Sequence, residues 1–308
     1  MTLRISLIGR GAWGSTLERL WRARGHALRS WSRRDGGSPQ ALLLEADLVV
    51  AAVSMAGVPS LAQALAPEWP ADLPLLSCSK GIDPLELCTA TQLWRRALGA
   101  QPMAVLSGPN LADELERGLP AASVVASESA TLAMRLQAEL RADNLRLYTN
   151  SDPIGTEAAG ALKNVIALAA GISDGLGLGA NARASLLCRG LAEIGVVLEA
   201  MGGQSTTLYG LAGLGDLLAT ATSSLSRNQR FGTLLAEGLP EAEALARIGA
   251  TVEGPRTARA ALSLAEGRGL RLPICEQVVR LLDGVVDAPG AVRALMERDP
   301  RPEASHGA

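Results

Sequence analysis

Of the 29 basic residues in this chain of 308, only Lys80 and Lys163 are lysine and every other one is arginine. On a solvated surface the two types differ little, but only a lysine ammonium can give up a proton, because a guanidinium keeps its charge up to about pH 12. A chain that uses arginine almost everywhere therefore marks two positions where a titratable amine is wanted. Lys163 lies in Gly160-Ala-Leu-Lys-Asn-Val165, and its neighbours one helical turn away, Ala159, Gly160, Ile166 and Ala167, carry no charge. A solvated lysine on an amphipathic helix has polar company on its own face. Lys163 has none and reads as a proton donor and acceptor, the alternative being a stem packed along the helix with its head snorkelling to water. Asp216, a carboxylate among apolar residues in Gly213-Leu-Gly-Asp-Leu-Leu218, is either the partner of that amine or a first-turn acid of a helix. Ser226-Arg227-Asn228 sets a cap residue, a guanidinium and an amide at a helix start, which suits a terminal phosphate as well as an ordinary N-cap.

A second constellation opens the chain. Leu3, Ile5, Leu7 and Ile8 form a short apolar strand that runs into Gly9-Arg10-Gly11-Ala12-Trp13-Gly14, and helical spacing follows at Leu17, Leu20 and Trp21. In this strand, turn and helix setting, glycines at positions 9, 11 and 14 let a pyrophosphate approach the helix N-terminus, where free N–H groups and the helix dipole favour anions. The strand after that helix, about Ala27 to Ser32, normally ends in an acid that accepts from the adenosine ribose of NAD. Here Ser32, Arg33 and Arg34 stand there. Two guanidinium groups suit a 2'-phosphate, so NADPH is expected over NADH, although Asp35 could take the acidic role.

The rest of the composition narrows the field. A net charge of -2 offers no general attraction for nucleic acid or an anionic membrane, so the expected partner is a small molecule held by a local cluster. Cys78, Cys88, Cys188 and Cys275 show no C-x-x-C spacing, and the only histidines are His26 and His306. This speaks against a zinc cluster and a disulfide framework and fits a reducing cytoplasm. No export signal is apparent. Residues 48–67 carry no charge over roughly the length of a membrane span, but Gly57, Pro59, Ser60 and Gln63 divide them into a buried strand, Ala46 to Ser54, and a helix begun near Pro59.

Further strands are expected at Leu73 to Ser79, Ala104 to Ser107, Ala121 to Ser127 and Leu145 to Tyr148, the pattern of a doubly wound parallel sheet that binds ligands at the carboxyl ends of its strands. Lys80 and Gly108 fall at such ends. Beyond Thr149-Asn-Ser-Asp-Pro153 the spacing turns helical, over about 153–172, 184–201, 211–222, 227–238, 240–248, 254–267, 274–284 and 288–298. The predicted architecture is α/β: an N-terminal Rossmann-type doubly wound sheet over residues 1–150, then an all-helical C-terminal domain over 151–308, with the catalytic cleft between them.

Taken together, Gly9-x-Gly-x-Trp-Gly14, Ser79-Lys-Gly-Ile82, Ser107-Gly-Pro109 with Ala112 and Glu114, Gly160-Ala-Leu-Lys-Asn-Val165, and Gly213-Leu-Gly-Asp216 followed by Ser226-Arg-Asn228 resemble the NAD(P)-dependent glycerol-3-phosphate dehydrogenases of bacteria. The resemblance runs in that family's order from residue 3 to about 285. It implies that Lys163 is the catalytic proton donor and acceptor, with Lys80 beside both substrate and cofactor. It implies substrate contacts from Lys80, Gly108, Lys163, Asp216, Ser226, Arg227 and Asn228, and a cofactor site lined by Gly9, Gly11, Trp13, Gly14, Arg33, Arg34, Lys80, Ala112, Arg227 and Glu253. The implied reaction is reduction of dihydroxyacetone phosphate to sn-glycerol 3-phosphate, feeding glycerophospholipid synthesis, in a cytoplasmic homodimer.

The sequence departs from that family's pattern in three places: Arg10 replaces a usually small residue and would either touch or crowd the pyrophosphate, Asn110 stands where serine or threonine is common, and the segment between Arg34 and Ala46 is short. The rival readings are a hydroxyacid dehydrogenase of the 6-phosphogluconate or 3-hydroxyisobutyrate type, whose members resemble one another in an asparagine one turn beyond the lysine rather than adjacent to it, and a non-catalytic NADPH-binding module.

Overall fold

The computed structural model describes residues 2–300 and Pro302; His306 lies outside them. Seven strands alternate with helices in the first half: β1 (Arg4–Ile8), α1 (Ala12–Ala23), β2 (Ala27–Trp31), β3 (Leu48–Ala51), α2 (Val58–Leu65), β4 (Leu75–Ser77), α3 (Ala90–Leu98), β5 (Met103–Ser107), α4 (Ala112–Glu116), β6 (Ala121–Ala126), α5 (Ala130–Leu140) and β7 (Leu145–Asn150). They form one sheet in the order β2-β1-β3-β4-β5-β6-β7. From β1 the chain goes first to β2 on one side and then across to β3 on the other. The connections therefore diverge above β1 and β3 and leave a crevice at their carboxyl ends. Both faces are covered, one by Leu17, Leu20 and Trp21 of α1 with Leu132, Leu136 and Leu140 of α5. The other is covered by Val58, Leu61 and Leu65 of α2 with Leu93 and Trp94 of α3. This is the doubly wound α/β architecture that the alternating pattern predicts.

Two details differ from the expected sheet. The strands are mostly shorter than their apolar runs, Leu48–Ala51 rather than Ala46 to Ser54, and Leu75–Ser77 rather than Leu73 to Ser79. In addition, β6 runs antiparallel to β5 and pairs parallel only with β7. The chain between β5 and β6 makes only the five-residue α4, which packs against α1 through a Thr16 Oγ1 hydrogen bond to Glu116. It re-enters the sheet at the carboxyl edge instead of crossing back beneath it. The short segment between Arg34 and Ala46 folds as two single 3-10 turns, Arg33–Asp35 and Pro39–Leu42, with no helix on the adenosine side.

Every described element beyond the sheet is helical: α6 (Pro153–Gly175), α7 (Gly179–Ala200), α8 (Asp216–Ala221), α9 (Arg227–Ala236), α10 (Glu241–Ile248), α11 (Gly254–Glu266), α12 (Pro273–Leu282) and α13 (Ala288–Met296). α6 is the axis. Asp152 caps it by accepting from Gly155 N at 2.8 Å, Pro153 supplies the fixed φ of the first helical position, and every residue from Gly155 to Ser173 is buried. The apolar run is thus explained by enclosure on all sides, which a helix in the middle of a bundle requires. No described helix is long and apolar enough to cross a membrane.

Two buried carboxylates that spacing does not reveal tie helices together. Glu157 of α6 accepts from Thr91 N at 3.0 Å and from the Thr91 hydroxyl, capping α3 across the junction between sheet and bundle. Glu193 of α7 accepts from Ile274 N and Cys275 N at the start of α12. Burial pushes both carboxyls up to about 7, against the hydrogen bonds that favour ionisation.

Candidate active site

The glycine loop packs as a nucleotide cradle must. A Cβ on Gly9, whose φ is 106°, would lie 2.3 Å from the Ala52 carbonyl oxygen at the end of β3, and one on Gly14 would lie 1.9 Å from the Gly9 carbonyl oxygen. Any side chain at either position would push α1 off the sheet. At Gly11 a Cβ would meet nothing within 4 Å, and no side chain caps the first turn of α1. Those unclaimed N–H groups above open space fit the pyrophosphate of a dinucleotide. Trp13 packs inward against the sheet core, with its indole N–H toward the Cys78 thiol, whose pKa burial raises to about 12. Ala112 opens α4, tied to α1 through Glu116, while Arg33 and Arg34 are exposed on the turn after β2. Glu253 closes the crevice from the helical side: its carboxylate accepts from Met55 N at 3.4 Å, and burial raises its pKa.

The two lysines meet on one carboxylate. Lys80, just past β4, and Lys163, from the middle of α6, reach the two oxygens of Asp216 at the first position of α8: Lys80 Nζ donates to Oδ2 at 2.5 Å and Lys163 Nζ to Oδ1 at 2.8 Å. Lys80 Nζ also donates to the Gly108 carbonyl oxygen at 3.2 Å. The Asp216 side chain is 2% exposed, that of Lys163 8% and that of Lys80 22%, so the cluster is graded from buried acid to partly open amine. Burial alone would raise the Asp216 carboxyl, but the charges of Lys163 and Lys80 outweigh it and hold the group below the usual carboxylate range. Burial brings the Lys163 ammonium down to about 8; Lys80 and Arg227 push the same way and Asp216 opposes them. An amine that titrates near neutrality, held by a permanently ionised acid, can pass a proton in either direction.

Sequence spacing misses one member of this cluster. Thr220 Oγ1 accepts from Lys163 Nζ at 2.5 Å and donates to Asp216 Oδ1 at 3.2 Å. It stands one helical turn after Asp216, and that four-residue offset is the signal that could have found it. The predicted 211–222 helix also proves to be two pieces, a π-helical turn at Leu211–Gly215 followed by α8, so Asp216 begins a new helix.

The phosphate candidates reach the same place because α6 and α9 touch backbone to backbone. A Cβ on Gly171 would lie 1.9 Å from the Gln229 carbonyl oxygen, and one on Gly232 would lie 2.0 Å from that of Leu168. Two glycines at the crossing set the start of α9 beside Lys163 and Asn164. Ser226 caps that helix, accepting from Gln229 N at 3.2 Å. Asn228 donates to Asn164 Oδ1 at 2.9 Å and accepts from Gly254 N at 2.9 Å, so its carbonyl is engaged and one amide hydrogen remains. Arg227 is exposed and forms no hydrogen bond or ion pair among the described residues. Asn110 accepts from Ser123 Oγ at 2.5 Å, and its amide nitrogen is buried without a partner among the described residues. His26 lies at the opposite, amino end of β2, with Nδ1 accepting from Leu3 N and Nε2 facing the Glu139 carbonyl oxygen. It takes no part in the cluster. The described cysteines form no disulfide, and no group of three potential metal ligands occurs among the described residues.

Comparison with known proteins decides between the dehydrogenase readings. Residues 152–293 match the family model of the NAD-dependent glycerol-3-phosphate dehydrogenase C-terminus, and residues 38–133 match that of its N-terminus. The chain belongs to this family. A glycerol-3-phosphate dehydrogenase [NAD(P)+] of Synechococcus sp. (strain RCC307) is 52% identical over 305 residues, covering 98% of this chain and 100% of the relative. One from Synechocystis sp. (strain ATCC 27184 / PCC 6803 / Kazusa) is 46% identical over 97% of this chain and 95% of the relative. The solved structure of glycerol-3-phosphate dehydrogenase from Coxiella burnetii superposes with a TM-score of 0.93 at 33% identity, covering 96% of this chain and 99% of the other. The matched N-terminal range begins after the glycine loop, so the cradle at Gly9 to Gly14 stands on its own geometry and on the near full-length relatives.

Proposed function

We propose that the protein catalyses the reversible, NAD(P)H-dependent reduction of dihydroxyacetone phosphate to sn-glycerol 3-phosphate, with NADPH preferred. The observation that carries this reading is the buried Asp216 shared by two lysines, one of them titrating near 8 and close enough to the uncommitted Arg227, at a helix N-terminus, to feel its charge. The dinucleotide, when bound, supplies or accepts the hydride at the central carbon. As that carbonyl becomes an alkoxide, Lys163 delivers a proton from Nζ to the oxygen and is left as the neutral amine. In the oxidative direction the neutral amine takes the proton back. Lys80, more exposed and held by the Gly108 carbonyl, stabilises the developing negative charge. Asp216 and Thr220 fix the Lys163 amine in place through both reaction directions.

Arg227, the free amide hydrogen of Asn228, the Ser226 hydroxyl and the first turn of α9 hold the phosphate, remote from the reacting carbon, and orient the substrate. Gly9, Gly11 and Gly14 seat the pyrophosphate, Arg33 and Arg34 the adenosine end, and Trp13, Ala112 and Glu253 line the remaining walls. The division of the chain near residue 150 into a cofactor unit and a substrate unit belongs to the same reading. The expected setting is the cytoplasm and the expected assembly a homodimer, both on the family resemblance.

The assay that tests the reading follows NADPH and NADH consumption by the purified chain with dihydroxyacetone phosphate and with unphosphorylated dihydroxyacetone. The phosphorylated ketone is expected to raise kcat/KM by at least a hundredfold, because loss of the phosphate removes several charged hydrogen bonds of about 1.5–3 kcal/mol each. Equal turnover of the two ketones would remove the α9 terminus from substrate binding. Cofactor binding without consumption of either cofactor would favour the non-catalytic module.

A further inference from the structure

The residue after the first glycine of the loop does not point where its position in the sequence suggests. Arg10 could touch a pyrophosphate above α1, but its guanidinium lies to the side, with Nη1 3.5 Å from Asp35 Oδ1 and Nε 3.9 Å from Glu18 Oε2. Glu18 is a turn and a half into α1, and its other oxygen accepts from Ser30 Oγ of β2 at 3.0 Å. The Arg10 head thus sits over the seam between α1 and β2, where a dinucleotide places its adenosine ribose.

The acid that could have accepted from that ribose is engaged elsewhere. Asp35 folds back on the end of β2 and accepts from Ser32 N at 2.7 Å and Ser32 Oγ at 3.0 Å, and its remaining oxygen faces Arg10. Arg33 and Arg34 stand exposed on the same turn. We propose that Arg10 reads the 2'-phosphate of NADPH, as the third arm of a cluster with Arg33 and Arg34. Its two contacts are longer than good hydrogen bonds, so the planar fork keeps donors for a bidentate grip on a phosphate. In the same position it screens Asp35, whose charge would otherwise repel that phosphate at the mouth of the site. The absence of a helix between Arg34 and Ala46 leaves this cluster open to the ligand.

The inference rests on the NADPH preference proposed above, and the test separates the two. Dissociation constants for NADPH and NADH are measured by titration calorimetry on the full chain, its Arg10→Ala variant and its Arg10→Lys variant. The parent chain should bind NADPH more tightly than NADH; the reverse order overturns the NADPH preference itself. Given that preference, Arg10→Ala should weaken NADPH about ten- to a hundredfold, the loss expected for one charged bidentate contact, and move NADH by less than about threefold. Arg10→Lys should fall between, because a point charge cannot supply the fork. Equal weakening of both cofactors would assign Arg10 to the pyrophosphate, and no change in either would leave the 2'-phosphate to Arg33 and Arg34; both outcomes overturn the inference. The Arg10 side chain is 47% exposed, so a melting temperature close to the parent's is the control for folding.

Discussion

Lys163→Arg is expected to lower kcat by about a thousandfold, the middle of the range for loss of a positioned general acid, with a much smaller change in KM. The substitution keeps the positive charge and a donor toward Asp216, so the electrostatics of substrate binding survive while the transferable proton does not. Steady-state kinetics with dihydroxyacetone phosphate would show the split directly. A kcat within tenfold of the parent's would mean that another group carries the proton, and Lys163 would then be only a buried counter-ion to Asp216.

Asp216→Asn should be the more damaging change overall. Two ammonium groups converge on the two carboxylate oxygens at 2.5 and 2.8 Å, and Asp216 is their only acidic partner among the described residues. Neutralising one member of a buried charge cluster typically costs about 3–5 kcal/mol, because the charges left behind stay buried without compensation. The expected result is a clearly lower melting temperature together with an activity loss of at least a hundredfold at pH 7. Asp216 is the group that opposes the burial-driven lowering of Lys163, so its removal moves the Lys163 pKa further down from about 8 and depletes the protonated form at neutral pH. Calorimetry and a pH series on the same preparation check both parts, and a variant with parental stability and pH profile would show that the carboxylate does not hold the amine.

How much of this was legible in the sequence varies with the range of the interaction. The glycine loop, the strand and helix alternation and the switch to an all-helical second half are set by local spacing, and the structure has them within a few residues. Lys80 and Lys163 stood out because residue choice reflects chemistry that only an amine performs. The antiparallel β6 was not legible, since an apolar run of six residues carries no mark of its direction; that was decided by α4 docking on α1 instead of crossing the sheet. The break before α8 was hidden because the apolar spacing of 211–222 continues smoothly through the π-helical turn. Glu157 and Glu193 carry no mark in the local spacing, because both cap distant helices from the core, a role fixed only when the helices pack. Asn228 was read as a phosphate ligand, and its amide does sit against Asn164, the chain neighbour of Lys163, but half of its hydrogen-bonding capacity ties α6, α9 and α11 together.

The pH dependence of kcat/KM, measured in both directions on the unaltered protein, addresses the proton carrier most directly. With Lys163 held near 8, ketone reduction needs the ammonium and should fall as pH rises through about 8, whereas alcohol oxidation needs the neutral amine and should rise through the same value. Profiles that stay flat between pH 7 and 9 in both directions, or that bend together rather than in opposite senses, would contradict a proton passing through this lysine.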